Sequence, residues 1–117
     1  MPSKINLVEK LTTFDERWSP RVVAKYNNND IMVVKVEGEF VWHKHDDTDD
    51  FFLVIKGKLD IELPDRTITL AAGEMFVVPR GVEHRPVARE ETHLMLIEPR
   101  GTPNTGDHKS AAARLEI

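Results

Sequence analysis

The feature that most restricts this chain is its punctuation. After Pro20, apolar runs such as "RVVAKY", "IMVVKV", "FFLVI", "LDIEL", "TITL", "MFVV" and "HLMLIE" alternate with "NNND", "PDR", "AAGE", "PRGVEH" and "AREE". Strand-like segments at intervals of roughly 8–12 residues, separated by Gly, Pro and Asn, specify an antiparallel β-sandwich or barrel. In "LDIEL", Leu59, Ile61 and Leu63 fall on one face while Asp60 and Glu62 fall on the other, the period-two pattern of a half-buried strand. Gly38 interrupts "IMVVKVEGEF" as a bulge or sharp bend would. Before the strands, "INLVEKLTTFDERW" carries Leu7, Leu11, Phe14 and Trp18 at three-to-four spacing, which predicts an amphipathic helix over residues 5–18. Beyond Pro99, "PRGTPNTGDHKS" reads as loop and "AAARLEI" as one closing helical turn. The expected organisation is one domain over 1–117: a helical arm (1–18), an all-β barrel (19–98) and a C-terminal tail (99–117).

Composition narrows the function. At 117 residues with 40% hydrophobic side chains, the chain can bury a core without disulfides. Its net charge is −4 with no basic stripe, which argues against nucleic acid and anionic membrane as partners. No apolar run approaches a bilayer span, and the first ten residues lack the pattern of a signal peptide. There are no cysteines, so thiolate chemistry is absent and any metal must be held by nitrogen and oxygen. The expected location is the cytoplasm.

The chemistry concentrates in "WHKHDDTDDFFLVI". Strand alternation puts His43 and His45 on one face with Val41, roughly 6–7 Å apart at the backbone, and turns Trp42 and Lys44 away. Acids are costly to bury without a compensating partner, yet four aspartates precede a core strand. Asp50, or alternatively Asp49, is placed to join the histidines, while Asp46 and Asp47 remain in a solvated turn. His84, ending "MFVVPRGVEH", is the candidate third imidazole from a neighbouring strand. His93 alternates with Met95 and Ile97 and reads as a satisfied core or rim histidine; His108 reads as inert. Phe40, Phe52, Val54, Leu59, Ile61 and Phe76 suffice to fill the barrel.

The spacing of these residues resembles the cupin family, small β-barrels of jelly-roll topology. Gly38, His43-Lys44-His45, Asp50 and Gly57 follow the family's first motif, with Asp50 where glutamate is usual. Gly73, Pro79-Arg80-Gly81 and His84 follow its second, with Ala88 where asparagine is usual. The wider pattern is similar to single-domain cupins labelled mannose-6-phosphate isomerase-like. The resemblance implies a double-stranded β-helix and one divalent transition metal (Fe, Mn, Ni, Co or Zn) on His43, His45, Asp50 and His84. It also implies isomerase- or dioxygenase-type chemistry on a small oxygen-bearing substrate, and a homodimer exchanging the "RVVAKY" strand and its arm. An acid left free of the metal, Asp46, Asp49 or Asp50, would be the general base, so Asp50 is also the candidate catalytic residue. Arg80 and Arg85 flank His84 and would pair with a substrate carboxylate or phosphate, or else simply face solvent. The rival class is a non-catalytic module that binds a small molecule or senses a metal. Asp for Glu shortens the reach to a shared ion by about 1.5 Å; Asp50 then ligates only if its strand moves inward, acts through a water, or yields to Asp49.

Overall fold

The computed structural model describes residues 3–107 and 109–117. A short helix α1 (Leu7–Leu11) precedes eight strands: β1 (Arg21–Tyr26), β2 (Asn29–Glu39), β3 (Asp50–Lys56), β4 (Lys58–Glu62), β5 (Thr67–Ala71), β6 (Met75–Val78), β7 (Arg85–Pro99) and β8 (Leu115–Glu116). The strand order is β5-β4-β7-β2-β1-β8, and β3 pairs with both β6 and β7. This is the all-β jelly roll expected. Among the described residues no helix is long and apolar enough to cross a membrane.

β7 is the spine. One of its edges pairs with β2 from Asn29↔Pro99 to Glu39↔Val87. Its other edge pairs first with β4, through Val87, and then with β3, through Met95 and Leu94. The "AREE" stretch, expected to separate strands, therefore continues inside β7. Even-numbered residues face inward along most of it: Pro86, Ala88, Thr92, Leu94, Leu96 and Glu98 are buried, while His93, Met95 and Ile97 are half-exposed. Met32, Val34 and Val36 of β2, paired beside Leu96, Leu94 and Thr92, enter the same core with Phe52, Val54, Leu59 and Ile61. Phe40 and Phe76 are only half-buried at its margins. Gly38 is the bulge expected: its φ is 89° and the β2–β7 register slips between Val36 and Gly38. A positive φ suits glycine because other side chains clash there.

Three local expectations fail for physical reasons. The helix covers only Leu7–Leu11, capped by Asn6 Oδ1 accepting from Glu9 N. Thr12 and Thr13 then donate their hydroxyls to Glu9 O and Lys10 O, taking the carbonyls a continuing helix would use. Phe14 is still buried, with Leu11, Val23 and Val33 in a second small core under the arm. The "NNND" turn shrinks to Asn27-Asn28, because Tyr26↔Asn29 and Lys25↔Asp30 already pair. "AAARLEI" forms no helix; Leu115 and Glu116 instead run parallel to Arg21 and Val22.

Candidate metal centre

His43, His45, Asp50 and His84 meet at one end of the barrel, each buried, with one ligand atom from each lying within 4.8 Å of all the others. The chain achieves this with three segments. His43 and His84 form an isolated backbone bridge, each N–H donating to the other's carbonyl at 3.0 and 2.9 Å. His45 follows two residues later, its carbonyl accepting from Gly81 N at 2.7 Å. Asp50 is the first residue of β3. The alternation expected from Val41 onward begins only at His43: residues 40–42 lie outside any strand, and Val41 is 52% exposed.

The rings are oriented for a shared ion. Nδ1 of His43 lies 2.8 Å from Val41 O, and Nδ1 of His84 lies 2.9 Å from Val82 O. A carbonyl is an acceptor, so each Nδ1 carries a hydrogen and each Nε2 is turned to the cluster, where it would offer a lone pair to a bound ion, the usual arrangement of ligating histidines. Asp50 Oδ2 lies 2.8 Å from His84 Nε2 and 3.2 Å from His45 Nε2. The second contact has the distance but not the alignment of a hydrogen bond, and His45 Nε2 is buried without a partner among the described residues. A buried polar atom left unpaired is costly, and an ion between the four donors would satisfy it. Ligand atoms around one ion at bonds of about 2.1 Å stand roughly 3–4 Å apart, which this cluster nearly matches. The donor set therefore fits a divalent metal, and three imidazoles with one carboxylate leave coordination positions free.

Electrostatics follow the geometry. Burial lowers His43 to about 4 with help from its histidine neighbours, outweighing the Val41 hydrogen bond, so its ring is neutral near pH 7. Burial also works on His45 and His84, but the adjacent Asp50 carboxylate, 3.2 Å from one ring and hydrogen-bonded to the other, outweighs it and raises both. Asp50 itself is held down to about 2: burial pushes it up, and the two histidines more than reverse that.

Asp50 reaches the cluster despite its shorter side chain, because β3 begins at that residue. Asp49 points elsewhere; its Oδ1 accepts from Arg80 N at 2.9 Å, and its side chain is 54% exposed. Asp46 and Asp47 are exposed, as expected of a solvated turn. Arg80 is exposed beside Asp49, and Arg85 is held by Glu39 and Glu62 at 2.8 and 2.7 Å, so neither faces the cluster. His93 is half-buried on the outer face with Nε2 2.6 Å from Glu91, a satisfied rim histidine. His108 lies outside the described residues.

The sequence reading missed Glu98. It lines the same interior cavity as His43, Asp50, Trp18 and Phe52. Burial and the Asp50 charge push its carboxyl up to about 8, against Arg114 and His45. The signal was present in "HLMLIE": Leu94, Leu96 and Glu98 share the inward parity. The tail from "GTPNTGD" onward, for which the sequence leaves open a cap over the mouth or a disordered end, places Asn104 in the lining of the cavity.

The cupin-domain family model matches residues 30–99. A cupin-2 domain-containing protein from Shewanella frigidimarina is 55% identical, with 82% of this chain and 94% of that chain covered and a TM-score of 0.81. A Neisseria meningitidis protein is 32% identical over 83% of this chain and 99% of its own, with a TM-score of 0.76. KdgF from Halomonas is 27% identical over 69% and 77%, with a TM-score of 0.60. Matching sequence, barrel and converging histidines place the chain in the cupin family.

Proposed function

We propose that this cupin is a metal-dependent enzyme acting on a small oxygen-bearing substrate (a carbonyl compound, hydroxy-acid or sugar-like molecule) by isomerase- or dioxygenase-type chemistry. His43, His45, His84 and Asp50 would hold one divalent ion of Fe, Mn, Ni, Co or Zn. The observation that carries this reading is the unpartnered Nε2 of buried His45, aimed at the point where the other three donors converge. An ion there would polarise a carbonyl or chelate neighbouring oxygens. With Asp50 engaged as a ligand, Glu98 is the buried carboxyl that remains beside the substrate, and Phe52, Val34 and Leu96 exclude water around it. The wild-type protein is expected to retain about one ion per chain by elemental analysis, and His43→Ala to lose it. Turnover of carbonyl compounds with and without O₂ then separates isomerase from dioxygenase. An ion retained without turnover on any of them would move the reading to a binding or sensing module.

The same proposal includes a homodimer. Phe51↔Val77 and Leu53↔Met75 pair across β3 and β6, and Leu53↔Met95 across β3 and β7, so these side chains share one outer face. Met75 and Val77 are 52% and 39% exposed, an apolar surface suited to a second copy. Light scattering is expected to give twice the chain mass, and Met75→Glu to halve it.

A further inference from the structure

The C-terminal segment divides two spaces. Inside lies the apolar cavity that reaches His43 and Asp50, with a free volume of about 40 Å³, room for about three water molecules at roughly 10–15 Å³ each. Outside runs an open groove of about 370 Å³, between His45–Thr48 on one side and Pro99–Pro103 with Gly106 on the other. Cavity and groove thus approach the same cluster from two sides of one strap, residues 102–106, the cavity at His43 and the groove at His45.

The strap is bolted rather than draped. Arg114 Nη1 donates to Asp30 Oδ2 at 2.9 Å and to Pro99 O at 3.2 Å. Its Nη2 donates to Glu98 Oε2 at 2.9 Å and also to Thr102 O. Asp30 and Glu98 are buried in β2 and β7, so the guanidinium ties the tail to both. Gly106 seals the other end: a Cβ there would stand 2.2 Å from Lys44 O, between the two motif histidines. Asn104 sits between these anchors. Its Oδ1 accepts from Ala112 N at 3.0 Å, so the chemistry it has left for the cavity it lines is its N–H₂ donor pair.

We propose that Asn104 is a ligand-contacting residue, donating to an oxygen of a molecule bound at the histidine cluster, and that Arg114 is the positioning residue that holds the strap in place. The strap then acts as a size filter. A ligand of a few heavy atoms, such as a two-carbon hydroxy-acid, fits behind it, and a larger one enters from the groove only when residues 102–106 lift from Lys44. This rests on reading the cluster as a ligand site.

The test uses the full chain and needs no turnover. Carbethoxylation of His45 and His84 by diethyl pyrocarbonate, run on chelator-treated protein so that no ion shields the ring nitrogens, is followed by mass spectrometry, with His93 as internal reference; glycolate binding to untreated protein is followed by calorimetry. Arg114→Met is expected to speed modification of His45 and His84 relative to His93 by about tenfold or more, the weight of a charged hydrogen-bond clamp on local opening. Gly106→Ala, which presses a methyl onto Lys44 O, is expected to act in the same direction. Asn104→Ala is expected to weaken glycolate binding about tenfold, one hydrogen bond's worth. Unchanged modification rates in both strap variants would overturn the filter. Glycolate that fails to bind the wild type, or binds Asn104→Ala equally well, would overturn the contact. Metal content of the untreated protein keeps the two readings apart: protein that takes up no ion counts against the metal centre, while the modification rates of chelator-treated protein still judge the strap.

Discussion

Two of the places where this molecule buries charge treat it differently. Under the N-terminal arm, Lys35 and Arg21 are 7% and 4% exposed. Lys35 Nζ donates to Phe14 O at 2.6 Å, and Arg21 donates to Ser19 Oγ at 2.6 Å and pairs with Glu16. Both cations also lie over the Phe14 ring, at 5.2 and 4.5 Å from its centre. Lys35 and Arg21 are satisfied by the chain itself and fasten the arm; the arm's own buried Arg17 Nε makes no hydrogen bond but has the Glu37 carboxylate 3.6 Å away. At the barrel mouth, three histidines share a single carboxylate and one ring nitrogen goes without a partner. Buried polar groups completed by their own fold explain themselves; those left incomplete point to something the fold is built to receive.

Perturbing each region separately tests that contrast. The largest effect is expected under the arm. Phe14→Ala removes a buried ring that also carries two cations, and chemical denaturation is expected to show a loss of about 3–5 kcal/mol, with metal affinity unchanged. An arm variant that also lost metal would break the division. Next comes His45→Ala. Metal affinity, by titration calorimetry, is expected to fall about 100-fold or more, or about 2.7 kcal/mol. The metal-free protein should lose less than about 1 kcal/mol, since the deleted nitrogen had no partner to forfeit. A large loss of metal-free stability would make His45 structural.

A smaller effect concerns pH. Glu98 holds its proton up to about 8 in the folded chain against 4.5 for an ordinary glutamate. Between those values the folded state binds more protons than the unfolded one, so this group's contribution to stability declines as pH rises and levels off above pH 8. In metal-free protein, the stability of wild type relative to Glu98→Gln is therefore expected to fall by at least about 1 kcal/mol between pH 5 and 8, measured by urea midpoints. A difference that stays flat over that range would show Glu98 ionised throughout, held by Arg114. The smallest effect is expected from Arg80→Ala, an exposed partner of exposed Asp49; thermal melting should register a change within about 0.5 kcal/mol, and metal affinity should not move.

Much of the barrel and the histidine set was legible because both are local patterns. Alternation marked β4 and most of the other strands, and the His43–His45 and His84 motifs lie where turn chemistry fixes the backbone. The helix was overread because Leu7, Leu11, Phe14 and Trp18 keep helical spacing while only the first two are helical; Phe14 and Trp18 reach the core from irregular backbone, with Trp18 at φ 58°. Glu98 was legible in parity but hidden by its charge, which suggests surface until Arg114 is known to meet it. That meeting joins residues 16 positions apart through a loop, and Asp30 joins from 84 positions away. No periodicity records such closures.

Because β7 faces inward at every even residue from Thr92 to Glu98, what it presents to the ligand depends on counting. Inserting one amino acid between Leu94 and Ile97 would keep a strand of nearly the same hydrophobicity, yet rotate the glutamate out to solvent and bring Ile97 into its place; deleting one would turn the glutamate out as well and bring in Pro99. Descendants of this sequence can therefore vary the outer face of β7 freely in kind, but its length there is fixed by arithmetic.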